Sequence, residues 1–251
     1  MTAALAGRTA LVTGASSGLG ATFARALAEG GARVALAARR IDLLKTLEAE
    51  LNAERAAALA VEMDVADEAS TRAAYDVAEQ GLGPIDTIIA NAGINAEGLA
   101  ADMPIEDFDR IFAVNVRGVF LTVREGAKRM IARAEPQGRI VIVSSVTATS
   151  ISPGTAAYSA SKAAVLHLGK MLAREWARYG INVNMILPGY IKTDINRDYF
   201  ESEPGAKFVA KFPRRRLVEE EDLTPLVRYL CSAESRAVTG SAFTVDDGQT
   251  L

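Results

Sequence analysis

The sequence predicts an α/β chain built on a doubly wound, seven-stranded parallel sheet with helices on both faces. Three observations predict it. Seven short β-rich runs alternate with longer stretches of helical periodicity. Several runs, Ile140-Val141-Ile142-Val143 among them, are continuously apolar rather than alternating, as strands buried on both faces require. A glycine-rich turn joins the first run to the first helix.

The strands are read as Thr9 to Thr13, Arg33 to Ala38, Ala57 to Asp64, Ile85 to Ala90, Arg139 to Ser144, Ile181 to Leu187 and Ala242 to Val245. Between them, Ala21 to Ala28 is helical and stops at Gly30-Gly31, where glycine suits a helix end. Ile41 to Arg55 and Phe108 to Arg117 repeat apolar residues at helical spacing, and a further helix begins near Tyr158. Each crossover is expected to be right-handed. No Pro/Ser-rich linker, low-complexity tract or internal repeat divides the 251 residues, so a single domain over 1–251 is expected. The exception to the regular alternation is Gly189 to Leu217, which sets Tyr190, Tyr199, Phe200 and Phe208 among charges and ends in Pro213-Arg214-Arg215-Arg216. A stretch of this length is either a lid or binding loop over about 189–217 or a solvated helical excursion.

Composition narrows the function. With 49% hydrophobic and 24% charged residues the chain has ample material for a core. A net charge of −3 and a pI near 5.4 leave no basic excess to neutralise a nucleic-acid backbone. One cysteine, Cys231, closes no internal disulfide, and one histidine, His167, rules out zinc sites built on paired His or Cys ligands; no metal is expected. No apolar run approaches a membrane span and the first residues lack a signal-peptide pattern. The expectation is a soluble, cytoplasmic protein whose partner is a small molecule, with neither nucleic acid nor membrane.

Thr13-Gly14-Ala15-Ser16-Ser17-Gly18-Leu19-Gly20 lies between strand and helix, the context of a phosphate cradle: glycines let the backbone approach an anion, and the helix's free amides face it. No Lys-Ser/Thr follows the last glycine, so a dinucleotide suits the turn better than a nucleoside triphosphate. A Rossmann-like site that prefers NAD usually ends its second strand in an acid. Here the end reads Ala37-Ala38-Arg39-Arg40, two guanidinium groups that suit a 2′-phosphate. NADP(H) is therefore the preferred cofactor, with Arg39 its main contact and Ser16 a candidate hydroxyl donor, while NAD(H) stays open.

Tyr158 and Lys162 are four apart and share one helix face. An ammonium one turn away stabilises a phenolate and lowers its pKa, making Tyr158 a candidate proton donor. Ser145, at the carboxyl end of the fifth strand, can hold a substrate carbonyl oxygen. Ser159-x-x-Lys162 also matches the serine-lysine pattern of acyl enzymes, but none of that class's companion motifs is present.

Taken together, Thr13-Gly14-x-x-x-Gly18-x-Gly20, Asn91-Ala92-Gly93, Ser145 and Tyr158-x-x-x-Lys162 resemble the classical short-chain dehydrogenase/reductase family over essentially the whole chain. The resemblance implies Tyr158 as general acid or base and Ser145 as substrate-orienting donor. It implies Lys162 on the nicotinamide ribose and Asn115, within a helix the family kinks, in a proton relay through water. Gly14, Ser17, Gly18, Leu19 and Gly20 would line the pyrophosphate. Asp64 and Val65 would meet the adenine, and Asn91, Ala92 and Gly93 would border the ribose and steady the sheet. Pro188, Gly189, Ile191 and Thr193 would hold the carboxamide. Val146, Ile151 and Tyr190 join Ser145 and Tyr158 as the substrate lining, with Pro153 and the loop from Tyr199 to Phe212.

The implied reaction is reversible hydride transfer between a ketone and a secondary alcohol. An NAD-dependent alcohol or polyol dehydrogenase and a non-catalytic dinucleotide-binding module are the alternatives. The basic run Arg214 to Arg216 could also meet an anionic acyl carrier or coenzyme A. Asp247 stands where the family more usually has the first glycine of Asp-Gly-Gly, which puts the local turn in question. The family is commonly tetrameric or dimeric, so a homotetramer or homodimer is expected, with His167 in packing or an interface and Cys231 and Trp176 in core or interface.

Overall fold

A computed structural model describes residues 4–54, 56–96, 98–134, 137–192 and 197–251. Strands β1 (Thr9–Thr13), β2 (Arg33–Ala38), β3 (Ala58–Glu62), β4 (Thr87–Ala90), β5 (Arg139–Val143), β6 (Asn182–Pro188) and β7 (Ala242–Val245) form one seven-stranded sheet in the order β3-β2-β1-β4-β5-β6-β7. Every pairing is parallel. The helices are α1 (Gly18–Glu29), α2 (Ile41–Ala53), α3 (Glu68–Leu82), α4 (Ile105–Phe112), α5 (Val119–Ala132), α6 (Ala156–Trp176), α7 (Arg197–Glu201), α8 (Glu203–Val209) and α9 (Thr224–Cys231).

Successive side chains of β1 show why the strands are apolar throughout. Leu11 packs into a core with Tyr75 of α3, Val123 of α5 and Val165 of α6, whereas Ala10 and Val12 face Phe23 of α1, Leu44 of α2 and Val227 of α9. Each face of the sheet thus has its own buried layer. Cys231 is fully buried in the second, and burial raises its thiol to about 12.

The third and fourth strands are shorter than the apolar runs that predict them. β3 is an edge strand whose ladder with β2 runs from Ala58 to Glu62, and β4 begins where Thr87 meets both Ala10 and Arg139. An apolar run marks what is buried, while a strand needs a neighbour in register. Helix α2 stops at Ala53, short of Arg55, which lies outside the described residues. The run from Phe108 to Arg117 is not one regular helix: α4 gives way to a π-helical turn, Ala113–Gly118, before α5. Among the described residues no helix is long and apolar enough to cross a membrane, and no group of three or more His, Cys, Asp or Glu side chains could hold a metal ion.

Candidate active site

Strand order reverses between β1 and β4, and at their carboxyl ends opens a cleft of about 1250 Å³. The glycine turn forms one wall. Gly14 (φ 70°) and Gly18 (φ 54°) adopt left-handed backbone that glycine takes at no cost. Gly20 serves a different need, because a Cβ there would stand 2.2 Å from the Gly14 carbonyl oxygen. Asn91 locks the switch point: its Nδ2 donates to the Thr13 carbonyl (3.0 Å), and its backbone N–H donates to Thr13 Oγ1 (3.0 Å). The strand-steadying part of its expected role is thus visible in its bonds.

Ser16, Ser17, Gly18, Leu19, Arg39, Arg40, Asp64 and Val65 line one end of this cleft. Arg40, rather than Arg39, reaches the turn: its Nη2 donates to Ser16 Oγ (2.9 Å) and Ser17 Oγ (2.7 Å). Arg39 is exposed between the cleft and a smaller hollow lined by Glu62, Asp64 and Ser70. A hydroxyl that accepts from a guanidinium keeps its own proton, so Ser16 and Ser17 can still donate to an anion.

At the opposite end Asn115 from the π-helical turn, Ser145 from the loop after β5, and Tyr158 and Lys162 from α6 come together. Asn115 is fully buried in the π-helical turn. Its Nδ2 donates to the Ile94 carbonyl (2.9 Å) and Ser161 Oγ (3.0 Å), and its Oδ1 accepts from Ile94 N–H (2.8 Å). The extra residue per turn of a π-turn lets a polar side chain leave the helix inward, a local departure common at functional sites. Lys162 is 4% exposed and donates from Nζ to the Val143 carbonyl (2.9 Å), joining α6 to the end of β5. Ser144 Oγ adds a second tie, donating to the Lys162 carbonyl (2.8 Å). A Cβ on Gly93 would stand 3.3 Å from Lys162 Nζ and 3.4 Å from Asn115 Oδ1, so this glycine leaves the space in front of both groups open.

The electrostatics depart from the expectation that Lys162 lowers the pKa of Tyr158. Burial pushes the Tyr158 hydroxyl above the usual phenol value, and hydrogen bonding with the Ser145 side chain draws it part of the way back. Burial also pulls the Lys162 ammonium down to about 8. Nζ sits 5.5 Å from the centre of the tyrosine ring, beside its face, with a backbone carbonyl as partner. In this arrangement the desolvation of both groups outweighs their mutual attraction.

The substrate end is partly as expected. Val146, Pro153 and Tyr190 line the cleft, and so do Pro188, Gly189 and Ile191. Ile151 does not: it is 95% exposed, on the loop that precedes α6, while its neighbours Ser152 and Pro153 line the cleft. Thr193 lies outside the described residues. The stretch 189–217 carries α7 and α8, and Tyr199, Phe200 and Phe208 from it form an aromatic wall with Tyr190, whose ring centre is 5.1 Å from that of Phe208. Two of the three terminal arginines have an acidic partner within the chain. Arg214 and Arg216 ion-pair with Asp247 (3.2 and 2.6 Å), which itself adopts the left-handed backbone (φ 52°) in the position where a glycine was expected.

The sequence reading missed several cleft residues. Asn95 has a buried Oδ1 with no hydrogen-bond partner among the described residues, and Glu220 reaches over Gly18 to accept from Thr22 Oγ1 (2.5 Å). Asn95 stands two residues after Asn91-Ala92-Gly93, and that adjacency was the one available signal. Glu220 is distant in sequence and carried none.

A family model described as short chain dehydrogenase matches residues 8–204. The chain belongs to the short-chain dehydrogenase family. It is therefore an oxidoreductase that acts on CH–OH/C=O groups and binds a nicotinamide dinucleotide. This short-chain dehydrogenase is 38% identical over 255 residues to Oxidoreductase UcpA of Salmonella typhimurium, an alignment spanning 98% of this chain and 96% of that one. It superimposes with a TM-score of 0.94 on a short-chain type dehydrogenase/reductase from Mycobacterium marinum (38% identity, 100% of this chain and 98% of that one). It superimposes equally well, with a TM-score of 0.94, on a gluconate 5-dehydrogenase from Burkholderia cenocepacia in complex with NADP and tartrate (36% identity, 99% and 97%).

Proposed function

We propose that the protein is an NADP(H)-preferring carbonyl reductase that converts a ketone to a secondary alcohol, reversibly, with Tyr158 as the general acid or base. The observation that carries this reading is that Ser145, Tyr158 and Lys162 line the cleft whose other end holds Arg39 and Arg40, with the buried Asn115 bonded to Ser161 on the same helix as Tyr158 and Lys162. The residues fit a dinucleotide. A glycine turn with two serine hydroxyls, two guanidinium groups at the end of β2, and the space left by Gly93 before Lys162 span the cleft from end to end. The relative bound to NADP supports the same preference.

In this reading the glycine turn and α1 take the pyrophosphate, Arg40 and Arg39 with Ser16 and Ser17 take the 2′-phosphate, and Asp64 and Val65 border the adenine. Lys162 and Tyr158 hold the nicotinamide ribose, and Pro188, Gly189 and Ile191 border the carboxamide. When bound, the cofactor supplies the hydride. The protein's part is position and proton supply. Ser145 donates to the carbonyl oxygen of the substrate, and Tyr158, kept protonated by burial, delivers its proton to that oxygen as negative charge develops on it. Asn115 fixes the loop at Ile94 and orders the water that restores the proton. Val146, Tyr190 and the aromatic side chains of 199–212 wall off the substrate, and the stretch 189–217 acts as its lid.

The test is oxidation of NADPH and NADH over a panel of ketones, diketones and β-ketoacyl thioesters. Turnover with NADPH is expected to fall about a hundredfold or more in Tyr158→Phe while NADPH Kd stays within about twofold. Equal activity in that variant removes Tyr158 from the chemistry, and a preference for NADH overturns the assignment of the arginines.

A further inference from the structure

Ser145 closes β5 in extended backbone (φ −164°, ψ 156°) and caps the short turn Val146–Ala148, where its Oγ accepts from the backbone N–H of Thr147 at 3.2 Å. A cap bond of this kind occupies one lone pair and leaves the hydroxyl free to rotate. Here a second donor removes that freedom: Thr147 Oγ1 also donates to Ser145 Oγ, at 3.1 Å. A serine oxygen has two lone pairs and one proton. With both lone pairs engaged by Thr147, only one direction is left for the proton, away from those two bonds, and Ser145 and Thr147 both line the cleft. Tyr158 lines the same cleft as Ser145. Thr147 is itself buried, at 8% exposure, and its branched β-carbon restricts the rotation of its own hydroxyl.

We propose that Thr147 is a positioning residue that fixes the Ser145 hydroxyl as a donor to the reacting oxygen, so that Ser145 enters the reaction in one orientation. The inference rests on the role of Ser145 given above. Without the Thr147 hydroxyl, the Ser145 proton can turn to other acceptors and the donor is present only part of the time. The loss falls on the transition state, where charge on the oxygen is largest, more than on substrate binding.

The experiment is a double-mutant cycle in the full-length protein with NADPH and the best ketone of the panel. Thr147→Val keeps size and shape, retains the backbone bond and deletes only the hydroxyl. It is expected to lower kcat about tenfold, the effect of one lost hydrogen bond, with KM and NADPH Kd within about twofold. Thr147→Ser, which keeps the hydroxyl, is expected to restore most of the rate. In a Ser145→Ala background, Thr147→Val is expected to have no further effect. An undiminished tenfold loss in that background overturns the inference, because Thr147 then acts without Ser145. So does a raised KM with unchanged kcat, which places Thr147 on the substrate directly, or a Thr147→Ser variant as slow as Thr147→Val. Full activity of Ser145→Ala alone overturns the role of Ser145 and the inference with it. An impaired Ser145→Ala with a fully active Thr147→Val leaves that role standing and overturns the inference alone.

Discussion

At the scale of single residues, burial governs the site. The Lys162 amine is charged below about 8 and neutral above it, whereas in the unfolded chain it stays charged to its ordinary 10.5. Between those values the unfolded state binds more protons, so stability must rise with pH across that window. Activity moves the other way, since the ammonium that holds the ribose is lost. We expect kcat/KM to fall as pH rises through about 8 while the contribution of Lys162 to unfolding free energy improves, and Lys162→Met to abolish both dependences; pH–rate profiles and urea melts check the pair. The two arginines give a second residue-scale expectation. Arg40→Ala should raise NADPH Kd about tenfold and NADH Kd by less, read by fluorescence titration. Equal losses for both nucleotides would mean that Arg40 only steadies Ser16 and Ser17. The residue types were legible in the sequence because a Tyr, a Lys and a pair of arginines each have few uses in such a frame. Which arginine turns towards Ser16 was not legible, since two adjacent guanidinium groups differ only in how the chain enters α2. The direction in which Ile151 points was hidden for the same reason: a loop residue has no period to read.

Elements show why the cleft holds its shape. Where α1 meets β1, Gly20 sits against the Gly14 carbonyl with no room for a methyl group. The obstacle is backbone, which cannot rotate aside. Gly20→Ala is expected to cost about 3 kcal/mol in urea denaturation and to weaken both nucleotides together, because the whole turn must shift. The element that sequence periodicity rendered worst is the π-turn between α4 and α5. Apolar spacing through Phe108 to Arg117 is that of a helix, and a single extra residue per turn shifts that spacing too little to stand out in a short run. Only the polar Asn115 inside an apolar stretch, together with the family's known kink, marked the place. Strand existence, by contrast, was legible, because central strands buried on both faces, such as Ile140 to Val143, write themselves as uninterrupted apolar residues. Strand ends were not, as β3 and β4 show, since pairing depends on a neighbour far away in sequence.

On the scale of the whole molecule, a parallel sheet delivers all of its carboxyl ends to one edge, and the cleft opens there. The framework below that edge is closed by two apolar layers, so the loops above it carry the specificity. One of them is moored from afar: the end of 189–217 is held by Arg214 and Arg216 on Asp247, beyond β7. Exposed ion pairs add little to global stability, and a glycine would relieve the left-handed backbone of Asp247. Asp247→Gly should therefore leave Tm within a few degrees while speeding limited proteolysis within 199–217 several-fold; unchanged cleavage would show that the aromatic wall alone keeps the segment in place. The buried Cys231 bears on how such motion can be watched. It is the one thiol in the sequence, out of reach of solvent and held protonated up to about pH 12, so it is silent towards maleimides and iodoacetamides in the folded protein. Ile151→Cys, at an exposed position one residue before the cleft-lining Ser152, would then take a single fluorophore or spin label without any background to remove.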